Sequence, residues 1–148
     1  MIIVEDTRNQ VGKHKRLNEE FEELGIQVIR SKLYVGDYAR LDNQTVAIDT
    51  KKNWLEVAGN VTKQHLRFRA ECQRAKEANI RLIILVEEDV SAKNWKSPVN
   101  RRKKPITMVS GIRLQKIIDT MAEKYGVEFM RCDKQDTASI IINLLENL

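Results

Sequence analysis

The segment Gly36–Lys51 reads GDYARLDNQTVAIDTK and carries Asp37, Asp49 and Lys51. Alternate side chains of a strand share a face, so Asp49 and Lys51 point to one side and Thr50 to the other. If the stretch around Asp37 pairs as the neighbouring strand, two carboxylates converge beside one ammonium group. Two carboxylates can hold a hard divalent cation, and a lysine beside them can orient or deprotonate a water. Together these are the parts of metal-dependent phosphodiester hydrolysis. Each residue also has a plainer reading. An Asp after a Gly can simply close a turn. Charged groups at the rim of a buried sheet need partners, and an Asp–Lys ion pair serves as well as a metal.

Further groups lie within reach of such a centre. Asp6 and Arg8, in EDTR, are either a local ion pair or a third carboxylate with a guanidinium for phosphate. Arg67 and Glu71 share a helix face by their spacing; they form a solvent-facing salt bridge, or Arg67 meets a phosphate. Trp54, inside WLEV, is expected to pack. Trp95, inside KNWK, is placed to stack on an exposed base. His14 and His65 are isolated and receive no catalytic role. Cys72 and Cys132 form no close pair, so a zinc site is not expected and both are read as reduced thiols in or near the core.

The elements that must position these groups follow from periodicity and punctuation. Residues 2–5 and 26–30 read as strands, separated by a helix with Leu17, Phe21 and Leu24 on one face and a stop at Gly25. Residues 38–41 and 45–49 form a hairpin across Asp42–Asn43. A short helix at 54–57 breaks near Gly59, and a longer one runs from an N-cap at Thr62 to about Ala78. IRLIILV, at 80–86, is a central strand buried on both faces. Ser110 caps a helix with Ile112, Ile117, Ile118 and Met121 on its apolar positions, ended by Gly126. A strand at 127–131 and a helix capped by Asp133 or Asp136 complete the chain. Alternating helices and strands predict an α/β domain with a mixed central sheet, organised as one domain over residues 1–148.

The chain has 148 residues, of which 42% are hydrophobic and 32% charged, enough for one core and too polar for a membrane-embedded body. No apolar run approaches the roughly 20 residues that span a bilayer, and the N-terminus reads as a strand, not a signal peptide. A cytoplasmic location is therefore expected. The net charge is +5, and residues 90–118 contain no Asp or Glu. A loop at about 91–109 concentrates Lys93, Lys96, Arg101, Arg102, Lys103 and Lys104, with Pro98 and Pro105 opposing regular structure. Such a block suits a polyanion or serves as a solvated loop.

The sequence resembles the nuclease domain of the XPF family of structure-specific endonucleases. The family signature, GD followed by a spacer and ERK, is similar to Gly36–Asp37 and Asp49–Thr50–Lys51. An upstream Asp and Arg of the family resemble Asp6 and Arg8, and Arg67, in HLRFRAEC, stands where the family carries an arginine. The order of elements agrees over nearly the whole chain. The resemblance implies a restriction-endonuclease-like fold, a three-layer α/β/α sandwich. It implies Mg²⁺- or Mn²⁺-dependent cleavage of DNA at branched or single-strand/double-strand junctions. By resemblance Asp37, Asp49 and the backbone carbonyl of Thr50 bind metal, Lys51 positions the attacking water, and Asp6 supports the metal shell. The shorter Asp49 and the uncharged Thr50 replace the Glu and Arg of the signature. The helix-hairpin-helix module that often follows this domain does not occur in the 148 residues, and the basic loop is read as an insertion that supplies DNA affinity. In these respects the chain is similar to short nucleases of phages and mobile elements.

Three other readings remain open from the sequence. One is an inactive nuclease-like DNA-binding module. Another is a nuclease acting on RNA or four-way junctions. The third is a protein-interaction domain working through its last helix. Ile140, Ile141, Ile142, Leu144, Leu145 and Leu148 exceed the needs of one helix stripe, and the resemblance implies a homodimer through that helix.

Overall fold

The computed structural model describes all residues, Met1–Leu148. Six strands form one sheet: β1 (Ile2–Asp6), β2 (Gln27–Ser31), β3 (Tyr38–Arg40), β4 (Asn43–Lys51), β5 (Arg81–Val86) and β6 (Glu128–Arg131). Five helices connect them: α1 (Lys15–Glu23), α2 (Trp54–Val61), α3 (His65–Glu77), α4 (Gly111–Tyr125) and α5 (Thr137–Glu146). The strand order is β2-β1-β3-β4-β5-β6. β3 runs antiparallel to both neighbours, and every other pair is parallel, so the sheet is mixed.

The alternation of β4 and β5 divides the core into two faces. Ala47, Leu82, Ile84 and Val86 pack with Val57, Phe68, Cys72 and Leu114, under α2, α3 and α4. Val46, Ile48, Ile83 and Leu85 pack with Leu17, Phe21, Ile141 and Leu145, under α1 and α5. Helices therefore cover both faces, and the molecule is the expected α/β/α sandwich. Beside β1, the first of these faces is closed by Leu33, packed on Val4 and Ala39. No helix is long and apolar enough to cross a membrane.

The hairpin, the strand ending at Val86 and the helix begun at Ser110 stand as expected. Ser110 Oγ accepts from Arg113 N at 3.2 Å, and Gly126 ends that helix at φ 72°. Four local expectations fail. Gly59 lies inside α2, because the cap at Asn53 and burial of Trp54, Val57 and Ala58 hold that helix through the glycine. Thr62 closes α2 instead of opening α3; its hydroxyl donates back to Ala58 O at 2.6 Å. Ile112 and Leu24 are 59% and 58% exposed and contribute no core. Neither Asp133 nor Asp136 caps α5 through its side chain; Asp133 accepts from Gln135 N in the turn before it.

Candidate active site

Gly36 sets the geometry of the site. Its φ of 80° is open to glycine at no steric cost, and a Cβ there would meet Ala47 Cβ at 3.1 Å and Ile48 O at 3.2 Å. The chain can then enter β3 flush against β4, which the Asp37 N–H to Ile48 O bond of 2.8 Å secures. Asp37 thus stands beside the C-terminal end of β4. There Asp49 and Lys51 face the α2–α3 layer, with Lys51 Nζ 3.4 Å from Asp49 Oδ2 and 5.7 Å from the centre of the Phe68 ring.

Asp37 is heavily coordinated. Oδ1 accepts from Asn9 Nδ2 at 3.0 Å. Oδ2 accepts from Thr50 N at 2.8 Å and from Thr50 Oγ1 at 2.9 Å, and His14 Nε2 lies 3.9 Å away. Burial disfavours its charge, but Asn9, His14 and Thr50 outweigh it and hold the Asp37 carboxyl below the usual carboxylate range. Asp49 has the opposite balance. Burial and the charge of Asp37 push its proton affinity well up, with Lys51 offsetting only part. Burial also opposes the charge of Lys51, yet Asp49, Glu56, Asp37 and Glu71 win, and its pKa is raised. Lys51 is therefore a standing ammonium, a donor and not a base.

These groups open into one cleft of about 600 Å³, whose walls also carry Asp6, Arg8, Asn9, Arg67, Glu71 and Arg74. Asp6 and Arg8 are joined by an ion pair of 2.7 Å. The other Asp6 oxygen accepts from Leu33 N at 2.9 Å, and Arg8 donates to Leu33 O at 2.8 Å. Each Asp6 carboxylate oxygen thus accepts one bond, and the Asp6 backbone N–H donates to Asp37 O at 2.8 Å. Arg8 keeps its side chain 46% exposed. Arg67 is exposed on the same rim, while Glu71 accepts from Gly36 N at 3.1 Å in place of the expected bridge to Arg67.

Two expected site residues behave differently. Trp95 is 5% exposed and packs in the larger core, so it offers no face for base stacking. The reason is Gly111: the carbonyls of Ala92, Lys93 and Trp95 approach within 2.5–2.7 Å of where a Cβ would sit, folding 92–95 onto the start of α4. Lys93, Lys96 and Arg101–Lys104 are exposed, with Asn100 Oδ1 accepting from Arg102 N and Lys104 N at the loop's tip. Asn9, His14 and Glu71 line or support the site and were not assigned to it from sequence; only the nearness of Asn9 to Arg8 hinted at it.

The donor set suits a hard cation. Asp37 and Asp49 are close enough for one to raise the proton affinity of the other, and a divalent ion can take the place of that proton. No three His, Cys, Asp or Glu side chains cluster as metal ligands.

The sequence profile of the ERCC4 domain matches residues 6–144. The chain belongs to the ERCC4 domain family. Its structure is similar to XPF from Aeropyrum pernix, with a TM-score of 0.69 and 23% identity over 99% of this chain and 64% of that one. A second structure, of XPF from Aeropyrum pernix in complex with DNA, matches with a TM-score of 0.67 and the same identity and coverage. The ERCC4 domain described here thus has the XPF nuclease fold and spans about 64% of the length of those chains. No curated protein sequence matches it.

Proposed function

We propose that this ERCC4 domain is a divalent-metal-dependent endonuclease that cuts DNA at branched or single-strand/double-strand junctions. Family membership supports a nuclease acting on DNA, and the relative described as a complex with DNA supports the substrate class. The observation that carries the reading is the convergence of Asp37, Asp49 and Lys51 in a cleft that Arg8, Arg67 and Arg74 also line. Asp37, Asp49 and the Thr50 carbonyl would hold Mg²⁺ or Mn²⁺, which supplies a Lewis acid for the phosphate and a more acidic water. Lys51 orients the water and neutralises charge developing on the phosphoryl oxygens. Arg8 and Arg67 grip neighbouring phosphates as planar donors. Asn9 and Thr50 keep Asp37 ionised and fixed. Lys93, Lys96 and Arg101–Lys104 add sequence-independent affinity that falls with salt.

The test compares the wild type with Asp49→Asn on labelled fork, flap, four-way junction and RNA substrates, in Mg²⁺, Mn²⁺ and chelator. Metal-dependent cutting of branched DNA by the wild type alone is the expected result. Binding without cutting under every condition makes the domain an inactive DNA-binding module, and cutting that survives Asp49→Asn removes Asp49 from the centre. A homodimer through α5 belongs to the same proposal. Ile140, Ile142 and Leu144 stay only half-buried on that helix, and sedimentation that finds only monomer at high concentration would refute it.

A further inference from the structure

A second groove, of about 520 Å³, runs between α3 and α4 on the far side of Phe68, whose ring borders both it and the carboxylate cleft. Its rim carries Arg69, Arg113, Lys116 and Lys124, and no Asp or Glu lines it. None of the four cations is in an ion pair. Its floor is apolar, made by Phe68, Ile117, Met121 and the ring of Tyr125. Arg69 Nε donates to the Tyr125 hydroxyl at 3.3 Å across the groove's two helices.

Helix stability accounts for Lys124, in the last turn of α4, but not for Arg113 at the other end. Neither α3 nor α4 has an acidic residue in its first turn, and Arg113 sits in the first turn of α4. A cation near the positive end of a helix dipole is unfavourable, where an acid would be favourable. α3 leads into the start of β5, which pairs parallel to β4, so its N-terminus lies toward the end of the sheet that holds Asp49 and Lys51. The positive end of that dipole and the unpaired side chains therefore add, next to the carboxylate cleft.

We propose that the α3–α4 groove binds an unpaired DNA strand of the branched substrate, with phosphates on the rim and bases against the apolar floor. The inference rests on the nucleic-acid reading above. The volume falls within the range of about 300–1,000 Å³ usual for small-ligand sites. An apolar floor beneath a cationic rim is the pairing that single-strand binding uses, because every base has a face to bury and every phosphate a charge.

The experiment measures binding of a fluorescent oligothymidylate in chelator, where no cutting occurs, across a salt titration. Arg69→Gln/Arg113→Gln/Lys116→Gln is compared with Lys15→Gln/Lys32→Gln/Lys134→Gln; each removes three charges, taking +5 to +2. All six side chains are exposed, and thermal melts verify folding. The groove variant should lose roughly tenfold or more in affinity, and its log–log salt slope should shrink by about 2, from three phosphates at about 0.7 each. The control should keep nearly all its affinity. Equal losses in both variants, no single-strand affinity in the wild type, or an equal loss of blunt-duplex affinity in the groove variant would each overturn the assignment. A wild type that binds the oligothymidylate but cuts no branched DNA refutes the endonuclease reading and leaves this one standing.

Discussion

Thr50 donates both its backbone N–H and its hydroxyl to one oxygen of Asp37, at 2.8 and 2.9 Å. Thr50, where the resemblance places the signature arginine, thus holds one oxygen of a carboxylate. Thr50→Val keeps the shape and the backbone bond and deletes the hydroxyl donor. We expect about 1 kcal/mol of lost stability and an upward move of the Asp37 pKa. Thr50→Ser should restore both. Thermal unfolding and carboxyl NMR titration check this.

Lys51 is held charged by four acidic neighbours, so its task is to donate. Lys51→Met should lower the single-turnover cleavage rate by about 10²–10³-fold, the usual cost of losing a charge-stabilising donor. DNA affinity should change little, because the rim and loop cations remain. The pH–rate profile of the wild type should show no falling limb from lysine between neutrality and its ordinary value of 10.5. A variant that loses binding and cutting in parallel would show Lys51 to be a phosphate anchor instead.

Asp49 makes stability depend on pH in a definite direction. Its folded pKa lies above the ordinary 3.8, so the folded protein holds a proton that the unfolded chain releases. That contribution is complete below the ordinary value and is lost as pH rises through the folded one. Asp37, shifted the other way, loses its contribution only as pH falls below the ordinary range. At neutral pH Asp49→Asn should therefore melt higher than the wild type, with 1 kcal/mol worth about 2–4 °C in a chain near this size. Mg²⁺ should raise the wild-type melting temperature as pH rises and leave Asp49→Asn unmoved. Calorimetry at several pH values, with and without Mg²⁺, reads both effects.

Gly36→Ala tests whether the turn sets the carboxylate. The substitution forces a positive φ on alanine and brings its Cβ to 3.1 Å from Ala47 and 3.2 Å from Ile48 O. We expect a loss of about 1–3 kcal/mol, with cutting reduced beyond what unfolding explains, because Asp37 is the next residue. Urea melts beside single-turnover rates separate the two.

The fold was legible because its strands obey period two. Ala47 and Asp49 alternate with Val46, Ile48 and Thr50 across the two cores, as the pattern VAIDTK requires. The bringing together of Asp37, Asp49 and Lys51 was legible for the same reason, since a hairpin fixes register locally. Asn9, His14 and Glu71 were hidden because they reach Asp37 and Gly36 from a loop, a helix start and a distant helix, through contacts that no local period encodes. The boundary at Thr62 misled because a threonine hydroxyl can cap the helix ahead or bond back to the one behind, and here it does the latter. Trp95 misled because a tryptophan between lysines looks exposed, whereas its burial depends on a glycine sixteen residues away in sequence.

That glycine supplies the last prediction. The carbonyls of Ala92, Lys93 and Trp95 lie within 2.5–2.7 Å of a Cβ built on Gly111, and these atoms are backbone, which cannot swing aside. Gly111→Ala must therefore lift segment 92–95 from the start of α4, at a cost of about 1–3 kcal/mol for overpacking. Trp95 would leave its place in the larger core, so its emission should shift to longer wavelength, while Trp54 stays anchored by its Nε1 bond to Val90 O at 2.7 Å. If the basic loop adds DNA affinity from a fixed position, the same variant should bind forked DNA more weakly with every loop cation still in place. If it acts only as a mobile cloud of charge, affinity and its salt slope should be unchanged despite the shifted fluorescence. Titrating forked DNA while recording tryptophan emission reads both quantities from one sample.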